Sequence, residues 1–227
     1  MERIDTHGAV VFLVGDRAYK LKRAVAFPYM DFSTLAKRLA ACRAEVRLNR
    51  RTAPALYLGL RAILPRNGGL SLGPLRQPDA IPKAEKKRAR DWLVAMKRFP
   101  ADALYDRIAR RRGLRADEID AIAETVARFH ALAPRIKAAR RSHSLSHVVE
   151  GNLAEIGRRT PGLFAEEDVR ELAHRSRAAV RRVRSVLAER RRAGFVRHGH
   201  GDLHLRNICA IDGRPVLFDA LEFDPHL

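Results

Sequence analysis

The strongest conformational instruction in this 227-residue chain lies near its C-terminus, in NICAIDGRPVLFD (207–219). An Asp-Gly pair between apolar, β-prone runs marks a two-residue hairpin turn, because the turn that matches strand twist needs positive φ at both central positions. With Asp212 and Gly213 as the loop, 211 pairs with 214, and counting outward sets Phe218 opposite Asn207. Asp219 then emerges beside Asn207. A carboxylate and an amide oxygen at the open end of a hairpin form a hard-oxygen donor pair of the kind Mg²⁺ accepts alongside nucleotide phosphates.

The first hundred residues also read as β-rich. AVVFLV (9–14) and AYKLK (18–22) are short strand signals joined by Gly15-Asp16-Arg17, an antiparallel hairpin. Period-2 alternation puts Ala18, Lys20 and Lys22 on one face of the second strand, with Tyr19 and Leu21 on the other. A strand with two lysines on one side either faces solvent or lines a site for anions. DFSTLAKRLAACRAEVRLNRRTAP (31–54) predicts a helix capped by Asp31 or Ser33, with an apolar stripe of Leu35, Leu39, Cys42 and Val46 and with Glu45 near its buried edge. LYLGLRAILP (56–65) and DWLVAMKRFP (91–100) predict further strands around a Gly/Pro-rich loop at 65–83. Helix dominates afterwards. ADEIDAIAETVARFHALAP (116–134) carries Ile119, Ile122, Val126 and Phe129 at three/four spacing, and a long helix over roughly 167–192 ends at Gly194. This order predicts an α+β chain with a joint near Lys97 to Ala101.

Two chemistries compete for HGHGDLHLRN (198–207). His198-x-His200-x-Asp202 followed by His204 is one residue away from the HxHxDH run of metallo-β-lactamase-type hydrolases, where the last His directly follows the Asp. Leu203 intervenes, and the downstream ligands such a site needs reduce to His226. Phosphoryl transfer asks instead for a carboxylate that takes or orients the acceptor proton, and for an oxygen ligand of Mg²⁺ a fixed distance away on the same loop. His200-Gly201-Asp202 with Asn207 reproduces H-R-D-x-x-x-x-N except that Gly replaces Arg. The hairpin that follows supplies Asp219 and tips the reading toward phosphoryl transfer, with a polar capping turn as the bland alternative.

With those residues in place, HGDLHLRNICAIDGRPVLFDALEFD (200–224) resembles the catalytic core of aminoglycoside phosphotransferase-like kinases, a branch of the protein-kinase-like fold. THGAVVFLVGDRAYKLKR (6–23), DFSTL with EVRLNRR (31–51) and MKRFP (96–100) are similar to an uncharacterised bacterial subgroup of that family, whose members often carry an additional P-loop ATP-binding domain; no G-x-x-x-x-G-K-[ST] occurs here. The resemblance implies a two-lobed fold, with a β-rich nucleotide-binding lobe over 1–98 and a helical C-terminal lobe with the catalytic loop over 99–227. The second lobe would be C-terminally truncated, since relatives continue with further helices.

The implied activity is ATP-dependent transfer of the γ-phosphoryl group to the hydroxyl of a small molecule, with ATP and Mg²⁺ as cofactors. Asp202 is similar to the catalytic aspartate, and Asn207 and Asp219 to the metal ligands. Lys22, or its rival Lys20, would hold the phosphates and pair with Glu45, and Met96, Lys97 and Phe99 would lie at the adenine-contacting segment. Thr6 to Ala9 is the nearest loop to cover the phosphates. His200 reads as a loop-fixing donor, and Glu222 and Asp224 as further metal partners or turn residues. The resemblance does not choose the acceptor.

A formal net charge of +19 raises a rival class: a catalytically inactive kinase-fold basic module that binds RNA or another polyanion. Against nucleic acid, aromatic content is only 6% and no stacking residues interleave with the charge, so RSRAAVRRVRSVLAERRR (175–192) reads first as a solvated helix face. No run approaches the ~18 apolar residues of a membrane span. The start, MERIDTHGAVVFLVGDR, has no signal-peptide pattern, and Cys42 and Cys209 show no paired spacing. The expected location is cytoplasmic.

Overall fold

The computed structural model describes residues 1–27, 29–136, 145–159 and 162–222, so Asp224 and His226 lie outside the described residues. The chain is α+β. It opens with β1 (Glu2–Asp5), β2 (Ala9–Val14), β3 (Arg17–Lys22), the short pair β4 (Ala26–Phe27) and β5 (Met30–Asp31), and α1 (Leu35–Asn49). β6 (Tyr57–Arg66), β7 (Gly69–Leu72), α2 (Lys83–Arg88) and β8 (Asp91–Lys97) follow. Six of these strands form one antiparallel sheet in the order β1-β2-β3-β8-β6-β7.

Local chemistry accounts for most of these elements. The β2–β3 loop is Gly15-Asp16 alone, since Val14 pairs with Arg17. Thr34 caps α1, in place of the expected Asp31 or Ser33: its Oγ1 accepts the Lys37 N–H at 3.3 Å, while the Asp31 carboxylate accepts the Ser33 N–H at 3.0 Å. The predicted stripe of α1 does face inward, with Leu39, Cys42 and Val46 packed in one core with Leu60, Ala62, Trp92 and Val94 of β6 and β8. Each fully buried aliphatic side chain there contributes roughly 1.5–3 kcal/mol. β7 lies within the stretch read from sequence as loop, 65–83, and α2 begins at its end; both are short and largely exposed, with Glu85 of α2 the buried exception.

One irregularity matters later. Tyr57 pairs with Met96 but Gly59 with Ala95, a bulge that places two steps of β6 against one of β8. A Cβ at Gly59 would lie 2.4 Å from the Arg76 carbonyl oxygen, so only glycine permits this approach.

Beyond β8 the chain makes a single helical turn at 101–103, then α3 (Tyr105–Arg112), α4 (Ala116–Leu132), α5 (Leu145–Arg159) and α6 (Glu166–Arg192). A second short turn at 205–207 leads into β9 (Ile208–Ile211) and β10 (Arg214–Leu217). Asp212 and Gly213 both have positive φ, 49° and 74°, as the hairpin turn requires. Arg214 pairs with Ile211, and the Phe218 N–H donates to the Asn207 carbonyl at 3.0 Å, the register counted from the sequence.

Contacts divide the described chain into two compact units, residues 1–131 with 200–222, and residues 132–199. The expected joint at 98 marks a change in secondary structure rather than in packing, because α3 and the β9–β10 hairpin belong to the same unit as the sheet. In that unit Tyr105, Ile108, Phe129, Ile208 and Leu217 form a second core. The other unit pairs α5 with α6, joined by Arg177 to Glu150 at 2.7 and 2.8 Å, and neither helix has a fully buried residue. No helix among the described residues is long and apolar enough to cross a membrane.

Candidate functional site

β3 lies inside the sheet, so its alternation has consequences. Lys20 and Lys22 share a face as predicted, and that face points to α1, where Glu45 has no solvent exposure. Glu45 Oε1 is 3.1 Å from Lys20 Nζ, and Oε2 is 2.5 Å from Lys22 Nζ. Glu45 therefore pairs across elements, from α1 to two lysines of β3. Each lysine has a second carboxylate from the segment after β10: Lys20 donates to Asp219 Oδ1 at 2.5 Å, and Lys22 to Glu222 Oε1. The result is a chain of ion pairs, Asp219–Lys20–Glu45–Lys22–Glu222.

Burial acts against the charged forms of both lysines, Asp219 and Glu222, and its balance with the neighbouring charges decides each outcome. Burial works to lower the Lys20 pKa, but Asp219 and Glu45 outweigh it and hold it well above the usual range. Lys22 is likewise raised in spite of burial, chiefly by Glu45. Burial would raise Asp219, yet Lys20 beside it leaves the carboxyl below its ordinary value. For Glu222 burial prevails over Lys22 and the pKa goes up.

Backbone ties fix residues 219–221. Tyr57, at the bulge in β6, accepts the Asp219 N–H on its hydroxyl at 3.2 Å. Asn49, one helical turn past Glu45 and fully buried, accepts the Ala220 N–H on Oδ1 at 2.8 Å and donates Nδ2 to the Glu45 carbonyl at 3.0 Å. The Leu221 N–H donates to the His200 carbonyl at 2.9 Å. Asp219 itself adopts φ +62°, a left-handed conformation uncommon outside glycine and reached chiefly by asparagine, aspartate and histidine. Tyr57 and Asn49 escaped the sequence reading; the i,i+4 spacing of Glu45 and Asn49 on one helix face was the available signal for the latter.

On the facing loop, His200 is buried, and its Nε2–H donates to the Phe218 carbonyl at 2.9 Å, the loop-fixing part expected of it. Burial lowers its pKa, and Nδ1 has no partner among the described residues, so the ring is a neutral tether. Asp202 is half-exposed, with His204 Nε2 3.5 Å from its Oδ2. Asn207 is buried and donates Nδ2 to the Asp202 carbonyl at 2.8 Å and to its Oδ2 at 3.2 Å.

These bonds leave Asn207 Oδ1 and Asp219 Oδ2 without hydrogen-bond partners among the described residues, on two residues that sit at the open end of the hairpin, where Phe218 pairs with Asn207. Two free hard oxygens fit a small divalent cation such as Mg²⁺ that completes its shell with water and phosphate. No group of three or more His, Cys, Asp or Glu that could hold a metal ion is found among the described residues, and His200 and His204 turn to different partners.

At the end of β8, Met96 pairs with Ala18 and Tyr57, and the Lys97 and Arg98 amides are already donated to the Leu56 and Asp16 carbonyls at 2.8 Å. The Phe99 N–H has no partner among the described residues, and its ring meets Phe218 edge-on at 5.2 Å. Thr6 closes the β1–β2 turn on Ala9, with its N–H and its hydroxyl each 2.9 Å from the Ala9 carbonyl.

No protein-family profile matches the chain. Over 226 residues it is 30% identical to uncharacterized proteins of Mycobacterium tuberculosis, strains CDC 1551 and H37Rv, and of Mycobacterium bovis. The alignment covers 98% of this chain but 42% of each relative, so the chain spans about two-fifths of the length of the curated proteins it matches.

Proposed function

We propose that the chain is an ATP-dependent phosphotransferase of the aminoglycoside phosphotransferase-like, protein-kinase-like class, acting on a hydroxyl of a small molecule. The observation that carries this reading is the Glu45–Lys20–Asp219 ion-pair chain, with Asp219 emerging from the hairpin end where Phe218 pairs with Asn207. Lys20, rather than Lys22, is the phosphate lysine in this reading. Its side chain is 12% exposed and its partner Asp219 is 38% exposed, whereas Lys22 and Glu222 are at 3% and 5%. Only the first pair is within reach of a bound nucleotide.

Asn207 Oδ1 and Asp219 Oδ2 would hold Mg²⁺, which supplies charge neutralisation between the phosphates when bound. Lys20 keeps its proton through its two carboxylates and steadies the phosphate oxygens. The Phe99 N–H is the free main-chain donor for a base. Asp202, exposed and tied through Asn207, orients the acceptor hydroxyl and takes its proton as oxygen bonds to the γ-phosphorus and the bond to the β-phosphate breaks. Positioning and electrostatics supply most of the rate in such chemistry. The reading calls for a compartment that holds ATP, the cytoplasm.

The test is thermal and radiochemical. Mg-ATP raises the melting temperature of the chain, Asp219→Ala abolishes that rise, and a screen with γ-labelled ATP over hydroxyl-bearing metabolites finds a labelled product. The rival reading, a basic module without catalysis, draws on the exposed arginines of α6, such as Arg184, Arg190 and Arg191. RNA binding with a steep salt slope, together with no response to Mg-ATP, would establish it and end the phosphotransfer reading.

A further inference from the structure

The Lys22 end of the ion-pair chain has no part in phosphotransfer as read above, and it is the more enclosed end. The Lys22 ammonium has Glu45 Oε2 at 2.5 Å, Glu222 in direct contact, and the Phe32 ring centroid 5.3 Å away. A cation so surrounded offers no face to a phosphate. Its partner Glu222 lies three residues past Asp219, at the far end of the segment whose amides are tied to Tyr57, Asn49 and His200. Asp219 within that segment holds a left-handed backbone conformation. A non-glycine residue stays in that region only when both flanks over-determine it. The β9–β10 hairpin supplies one flank, through the Phe218 N–H on Asn207. The other flank ends on Glu222.

We propose that Glu222, acting through Lys22, is a positioning residue: a buried latch that fastens residues 219–222 against β3 and α1 and so keeps Asp219 turned toward Lys20. Its functional meaning rests on the phosphotransfer reading, but the latch itself is a property of the segment. The strand that carries the phosphate lysine thus also anchors the segment that carries the metal-ligating aspartate, two residues further along the same face.

Hydrogen exchange and Mg-ATP binding, measured in the full chain, test this together. In Glu222→Leu, exchange at the Ala220 and Leu221 amides accelerates about tenfold or more while β6 and β8 amides keep their rates, and the dissociation constant for Mg-ATP rises about tenfold. The double variant Lys22→Met with Glu222→Leu replaces this buried pair by an apolar contact, while Glu45 keeps Lys20 as its partner. It regains slow exchange and most of the Mg-ATP affinity. Unchanged exchange in Glu222→Leu overturns the latch. So does a double variant with protected amides and no nucleotide affinity, because Lys22 would then act on the phosphates itself. If the unaltered chain binds no Mg-ATP but both exchange results hold, the phosphotransfer reading fails and the latch stands.

Discussion

The sheet unit and the α5–α6 pair use the same charged residues in opposite ways. Around the sheet, Glu45, Lys22 and Arg38 are buried and each meets a partner from a distant element. Along α6, Glu171–Arg175 and Glu166–Arg170 are exposed pairs one turn apart, and residues 181–190 are exposed throughout, Val183, Val186 and Leu187 included. A buried charge that loses its partner is left with an uncompensated desolvation cost, whereas an exposed one simply returns to water. Ion pairs in the first region therefore determine where segments sit. Those along α6 decorate a single helix, apart from the exposed Arg177–Glu150 link to α5.

The comparison is most easily broken at Glu45. Glu45→Ala leaves Lys20 and Lys22 with one carboxylate each in a buried setting, and about 3–5 kcal/mol of stability should be lost. At about 2–4 °C per kcal/mol for a chain of this size, thermal melts would show a fall on the order of 10 °C or more. A fall no larger than that of a surface variant would erase the distinction between the two regions.

A smaller effect comes from acid. The His200 pKa is lowered in the fold, so below about 6.5 the unfolded imidazole takes a proton before the native one does. Its contribution is complete above that pH and is lost as pH falls through the folded value. Denaturant midpoints measured downward from pH 7 should thus decline more steeply in the unaltered chain than in His200→Gln. Asp219, depressed rather than raised, adds a second acid-side loss below about pH 3.9. The smallest effect is expected on α6. Glu171→Ala removes an exposed i,i+4 pair and should move the melting temperature by less than about 2 °C.

Much of this arrangement was legible before any coordinates. The Asp212-Gly213 turn specified a register, and the register put Asn207 beside Asp219. Strand parity put Lys20 and Lys22 on one face, and the helix stripe put Glu45 at its buried edge. Tyr57 was not legible, since its hydroxyl meets the Asp219 N–H across 162 positions of chain, from a strand whose bulge no local pattern announces. Nor was the cap of α1, where Ser33, Thr34 and Asp31 all have oxygen acceptors and only the entry angle of the chain selects Thr34.

The choice between Lys20 and Lys22 shows most plainly where local information stops. By itself the sequence determined periodicity, turn type and therefore which side chains share a face, because these depend on neighbours a few residues apart. Only the tertiary structure decided which lysine meets Asp219 and which meets Glu222, residues 199 and 200 positions later in the chain. The field at a buried ammonium is set by the groups within a few ångströms of it, and those arrive from wherever the fold brings them.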